Sequence, residues 1–239
     1  MMTMRTDARG WDYFDRFYCI SLAEREDRRE NARRQFGRVG LADRVEFMIV
    51  DRNPEGSEAG IYESHMACFR KGLGSGARRM VVFEDDIVFD QFCPQRLAAC
   101  TQYLTQTPQW HLLFLGCLVS GSRQTSCAAV RSVRYRCLAH GYGVSREYAQ
   151  TLVRKPWSGV PFDAMLAGLD GTPYVIYPSI AFQSNSPSDN RSHRILDRVR
   201  RIFGGLQIIQ KVNERYHRHR RVVLILHLLG ILSLGALLF

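Results

Sequence analysis

The chain has 239 residues, with 46% hydrophobic and 11% aromatic content. That is enough for one sizeable folded core and excludes a disordered chain. The net charge of +10 is unevenly placed: residues 191–221 hold ten Lys or Arg and two acids, which leaves residues 1–190 with 23 basic and 21 acidic side chains. The body is nearly neutral, so the basic character belongs to the C-terminal segment. Seven cysteines, at 19, 68, 93, 100, 117, 127 and 137, show no CxxC pair and no zinc spacing, as expected of buried, reduced thiols in a cytosolic protein. The N-terminal residues contain no apolar stretch of the secretory type.

In chain order, residues 1–15 read as a loose lead-in. Phe17–Leu22 is rich in β-formers and predicts a first strand. A helix follows from the Glu24–Arg29 charge cluster to Val39, with Gly40 as its stop. Val45–Val50 predicts a second strand, ending in the turn-rich Asn53–Ser57. Gly60–His65 opens a helix to about Lys71, and Gly72, Gly74 and Gly76 predict a flexible connector. These glycines precede a strand, so they do not form a dinucleotide fingerprint.

Met80-Val81-Val82-Phe83 predicts a buried strand that runs into three consecutive acids, Glu84-Asp85-Asp86. Burying carboxylates is costly unless something positive pairs with them, and a divalent cation held by oxygen ligands would do so. The alternative is a solvated turn. Pro94–Gln106 predicts a helix with Pro in its first turn, and Leu112–Gly116 another buried strand. Residues 118–136 are polar and Ser-rich and read as a loop with at most one strand. Leu138–Val144 reads as strand, with Ser145 the N-cap of a helix to Arg154. Pro161–Leu166 starts a short helix, and Tyr174–Pro178 reads as the last strand.

Strands alternating with helices predict an α/β, Rossmann-like single domain over 16–190, a mostly parallel sheet with helices on both faces. In such sheets ligands bind beyond the carboxyl ends of the strands, where the acids at 84–86 fall. In the basic segment 191–221, Ile195, Leu196, Val199, Ile202, Phe203, Leu206 and Ile209 recur at helical spacing, interrupted by Gly204-Gly205. This predicts a basic amphipathic helix, either packed on the domain or lying on anionic lipid. Residues 222–239 are apolar except for His227 and Ser233. As a helix this run would reach roughly 27 Å, near the lower limit for a bilayer, so it predicts a membrane-associating tail. The basic residues on its amino side would keep the domain cytoplasmic. They flank no aromatic stacking positions, so no nucleic-acid partner is expected.

Four blocks together resemble glycosyltransferase family 25, which includes bacterial lipooligosaccharide transferases and collagen galactosyltransferases. They are Ile20-Ser21-Leu22 with Asp27-Arg28-Arg29; Gly60–His65, with Ile61 where the family often has Cys; Phe83-Glu84-Asp85-Asp86; and Ala139–Ala149 with Pro161-Phe162-Asp163 and Pro178…Gln183. The resemblance spans roughly residues 17–190. It implies a GT-A-type fold and an inverting, metal-dependent transfer of galactose or glucose from a UDP-sugar. The acceptor would be a lipopolysaccharide, lipooligosaccharide or other surface glycan at the cytoplasmic face of a membrane, such as a bacterial inner membrane. It also implies Mn²⁺ or Mg²⁺ on Asp86 and Glu84, with Glu84 or Asp85 holding ribose or donor sugar. Asp163 is the candidate base, with Asp189 behind it. Ser21, Leu22, Arg28, Arg29, Ser64 and His65 become candidate donor contacts, and Gln183 and His193 weaker ones near the diphosphate. The rival expectation is a catalytically inactive, membrane-tethered module that binds a nucleotide sugar or glycan.

Overall fold

The computed structural model describes residues 10–107, 109–185 and 205–237. Its centre is an eight-stranded mixed sheet in the order β2-β1-β3-β8-β5-β9-β7-β6. The strands are β1 (Arg16–Leu22), β2 (Val45–Val50), β3 (Arg79–Glu84), β5 (Leu112–Phe114), β6 (Leu118–Gln124), β7 (Val130–Cys137), β8 (Gly141–Ser145) and β9 (Pro173–Ile176). A separate antiparallel ribbon pairs β4 (Ile87–Phe89) with β10 (Ala181–Gln183). The helices are α1 (Glu26–Arg38), α2 (Ser57–Gly74), α3 (Pro94–Thr105), α4 (Arg146–Leu152), α5 (Phe162–Gly168) and α6 (Gly205–Leu237). The single α/β domain expected from the alternating pattern is present.

β2, β1 and β3 run parallel, as do β5 and β9, whereas β8 lies antiparallel between β3 and β5. Both faces of the central strands are buried, and their sequences show why. Along β1, Phe17 and Cys19 enter one core with Phe36, Val81, Phe83 and Leu113, whereas Tyr18 enters the other with Met66, Phe69, Val82, Phe114 and Tyr142. A strand covered on both sides must be apolar at every position, as β3 is from Met80 to Phe83. Because β1 and β3 are parallel neighbours, their carboxyl ends open on the same edge, and the acidic turn projects there.

The structure differs from the sequence reading in four places. The lead-in is core from Trp11 onward: its ring is fully buried, donates Nε1–H to Val39 O at 2.9 Å and stacks on Phe92. The stretch 118–136 is not a loop but the hairpin β6–β7, whose second strand pairs with β9. The glycine connector is short, because α2 continues to Gly74 with Gly72 packed against Met80. A further strand, β10, follows Pro178 and pairs with the strand just after the acidic turn.

α6 is described from Gly205 onward and docks on the domain through polar side chains. Gln210 is fully buried and donates Nε2–H to Ala181 O at 3.0 Å. Asn213 accepts from Val119 N and donates to Val119 O, each at 3.0 Å. Glu214 accepts from Ser179 N, and Lys211 pairs with Asp90 at 2.6 Å. Gly116 permits this approach: a Cβ there would lie 2.1 Å from Ala181 O and 2.3 Å from Gln210 Nε2. The packed alternative for the basic segment therefore describes residues 205–214, whereas Ile195–Phe203 lie outside the described residues. Among the described residues no helix is long and apolar enough to cross a membrane.

Candidate functional site

A cavity of about 670 Å³ opens at the carboxyl ends of β1, β2 and β3 and is closed by α2, α5, the end of β10 and the start of α6. Ser21, Leu22, Arg28, Ser64, His65, Glu84, Asp85, Asp86, Asp163 and Gln183 all line it. The sequence candidates thus converge from six elements and the acidic turn, with three exceptions. Arg29 does not line it; Asp189 and His193 lie outside the described residues.

The acidic turn is the centre. Asp85 accepts from Ser21 Oγ at 2.6 Å and pairs with Arg28 Nη1 at 3.3 Å. Burial raises its carboxyl, and the Ser21 and Arg28 contacts act against that rise. Asp86 lies 3.7 Å from the same guanidinium and accepts from Gln183 Nε2 at 2.9 Å through Oδ2, while its buried Oδ1 has no partner among the described residues. Burial, and then the charge of Glu84, push Asp86 up to about 7. Burial, and then the charges of Asp163 and Asp85, push Glu84 up to about 8. Two carboxylates that each resist ionisation, one with an orphaned oxygen, form a site that a cation would relax.

Among the described residues no three His, Cys, Asp or Glu side chains converge on one point. A small divalent cation bound by one or two carboxylates, water and phosphate oxygens does not need three. The carboxylates of Glu84 and Asp86 therefore fit the oxygen-donor chemistry of Mg²⁺ or Mn²⁺.

The neighbouring Arg pair divides its work according to helical phase. Arg28 points to the acids. Arg29, one residue or about 100° further round α1, turns back to the Leu22 and Ala23 carbonyls and to Glu26. It braces the turn after β1 and contacts Ser21 Oγ at 3.3 Å, but its guanidinium does not face the cavity. Ser64 donates to Gly60 O within its own helix at 2.6 Å. His65 is buried and stacks on Phe162 at 3.9 Å, with Nδ1 2.8 Å from the Tyr142 hydroxyl. Burial lowers its imidazole to about 3, so it stays neutral and its 3.8 Å approach to Glu84 is not an ion pair.

Asp163 opens α5, where a carboxylate faces the positive end of the helix. It accepts from the Tyr135 hydroxyl and, at 2.9 Å, from Leu138 N. Leu138 holds φ at +77°, a left-handed value that is costly for leucine and aims its N–H at the carboxylate. The sequence alone does not single out Tyr135, because the polar stretch 118–136 predicts a loop where the structure has β7. Its signal was the alternation of Val133, Tyr135 and Cys137 within a polar stretch.

No family model matches the chain. An alignment 129 positions long, which covers 43% of the chain, is 27% identical to a rat (Rattus norvegicus) protein described as probable inactive glycosyltransferase 25 family member 3. The matched region spans 23% of that relative's length. Over that part of its length the chain is similar to a protein of the glycosyltransferase 25 family, and it spans less than a quarter of that relative. Among solved structures, a glycosyltransferase involved in glycosylating the major capsid of PBCV-1 is 8% identical, with 77% of this chain and 98% of that one covered, at a TM-score of 0.45. A putative glucose-1-phosphate thymidylyltransferase from Bacillus anthracis is 12% identical, with 81% and 80% covered, also at 0.45.

Proposed function

We propose that the chain is a metal-dependent glycosyltransferase that moves a hexose, galactose or glucose, from a UDP-sugar to a lipopolysaccharide, lipooligosaccharide or other surface glycan. The observation that supports this best is the orphaned, buried Asp86 Oδ1 beside Glu84, in a cavity that also contains Asp163. Asp86 and Glu84 would hold Mn²⁺ or Mg²⁺, which when bound neutralises charge on the departing diphosphate. Ser21 and Leu22, at the end of β1, border the nucleotide's place. Arg28 balances the acids, and Arg29 holds the Leu22–Ala23 backbone that shapes the rim.

Asp163 is the base. The Tyr135 hydroxyl and Leu138 N–H hold its carboxylate in place, and it takes the proton of the acceptor hydroxyl. The hydroxyl oxygen bonds to the anomeric carbon as the bond from that carbon to the diphosphate breaks. Attack opposite the leaving group inverts the centre, and UDP leaves with the electron pair. The 222–239 tail would tether the enzyme to the cytoplasmic face of the membrane that carries a lipid-linked acceptor.

UDP release from UDP-galactose, UDP-glucose and UDP-N-acetylglucosamine, with and without Mn²⁺, tests the reading. One of the first two should turn over with Mn²⁺ only, and Asp86→Asn should abolish it with the fold intact. A second reading is a binding module without turnover. It is favoured by the name of the rat relative and by the guanidinium of Arg28 already beside both Asp85 and Asp86. Saturable UDP-sugar binding with no release of UDP, whatever acceptor extract is added, would select it.

A further inference from the structure

α6 is polar on its inner face and apolar on its outer one, the reverse of an ordinary packed helix. Gln210, Asn213 and Glu214 face the domain and hydrogen-bond to Ala181, Val119 and Ser179. Ile208, Val212 and Tyr216 are 49%, 59% and 40% exposed. Spaced i, i+4 and i+8, they form one continuous stripe on the opposite side. Leu206, at the head of the same helix, forms part of the cavity wall on the side turned away from the stripe, so the helix that carries the stripe starts at the rim of the site.

The charge on the helix indicates what covers the stripe. Residues 205–225 contain five Lys or Arg and a single acid, Glu214, and that acid is turned inward onto Ser179 N. Arg215 sits beside the stripe and is exposed, and Arg218 and Arg220 follow, also exposed. An apolar ridge edged only by cations matches the boundary of an anionic bilayer, where rings and aliphatic chains enter the headgroup layer and guanidinium groups meet phosphate.

We propose that the outer face of α6, formed by Ile208, Val212 and Tyr216 with Arg215, seats the domain on an anionic phospholipid surface and sets the cavity mouth at the lipid–water boundary. This seat lies before the break at His219, where φ is −107° and ψ is 18°, and is distinct from the apolar run beyond it. It does not depend on the transferase reading, since partition is measured with no sugar donor present.

The full chain is floated with phosphatidylglycerol-containing vesicles and, separately, with pure phosphatidylcholine vesicles. The unmodified chain should partition at least about tenfold more strongly onto the anionic vesicles. Ile208→Glu, Val212→Glu and Tyr216→Glu together should reduce that partition at least about tenfold, with the thermal midpoint unchanged because all three side chains already face water. Arg215→Glu alone should weaken binding to anionic vesicles and leave the phosphatidylcholine result unchanged. Unaltered flotation of the triple variant would overturn the proposal and assign binding to residues 222–239. Equal binding of the unmodified chain to both vesicle types would overturn its anionic part. A vesicle-free dimer that the triple variant makes monomeric would overturn it in favour of a contact between two copies.

Discussion

Asp86→Asn should stabilise the cation-free protein while removing its metal response. In the folded chain the Asp86 carboxyl is raised from 3.8 to about 7 by burial and by Glu84. A raised carboxyl binds its proton more tightly when folded, so its contribution to stability is complete below about pH 3.8 and is lost as pH rises through about 7. A rise of roughly three pH units corresponds to about 4 kcal/mol at alkaline pH. Glu84 and Asp86 repel each other and do not ionise independently, so about half of that, ~2 kcal/mol, is recoverable by neutralising one of them. Asparagine keeps the volume and can still accept from Gln183. In EDTA at pH 8 the variant should therefore melt roughly 4–8 °C above the unmodified chain, and the gap should narrow steadily towards pH 5. Adding Mn²⁺ should raise the melting temperature of the unmodified chain and leave that of the variant unchanged. Differential scanning calorimetry across this pH range measures both effects. A variant less stable at pH 8 by the same amount as at pH 5 would refute the reasoning. It would mean that the Arg28 pairing, not repulsion and burial, dominates at Asp86.

Asp163→Asn should lower the transfer rate by about 10²–10⁴-fold, with little change in the donor KM, if it removes the acceptor's proton; a rise in donor KM alone would place it in binding. Gln183→Ala should raise the Mn²⁺ concentration needed for half-maximal UDP release, by about tenfold as for other lost outer-shell partners, because Asp86 Oδ2 loses its only neutral donor among the described contacts. Trp11→Ala should destabilise by about 3–5 kcal/mol in urea unfolding, since the ring is fully buried and packs on Phe17, Phe83, Phe89 and Phe92.

The sequence was most legible where burial on both faces forces a dense apolar run. β1 and β3 are such strands, and the acids that end β3 stand out because Met80 to Phe83, which precede them, are all apolar. It was least legible where stability comes from partners distant in sequence. β6 and β7 are rich in Ser and Arg and pair with each other, and β7 also pairs with β9, so local composition reveals neither strand nor Tyr135 within the second. The sequence marks Arg28 and Arg29 only as a pair, whereas a single residue's rotation on α1 decides which guanidinium reaches the acids. In α6 the usual rule that apolar side chains turn inward points the wrong way for residues 208–216. The helix is held by amide and carboxylate groups that pair with backbone left open at Val119, Ser179 and Ala181.

The docking of α6 also bears on how this protein should be dissected. Gln183, which holds Asp86, lies two residues beyond Ala181, the residue that Gln210 grips, and Gly205 and Leu206 complete the cavity wall. A fragment cut at Asn190, the natural choice from composition, would lose that grip along with the tail. Any fall in its turnover could then be mistaken for loss of membrane attachment. Truncations intended to separate attachment from chemistry should therefore retain the chain through Arg218.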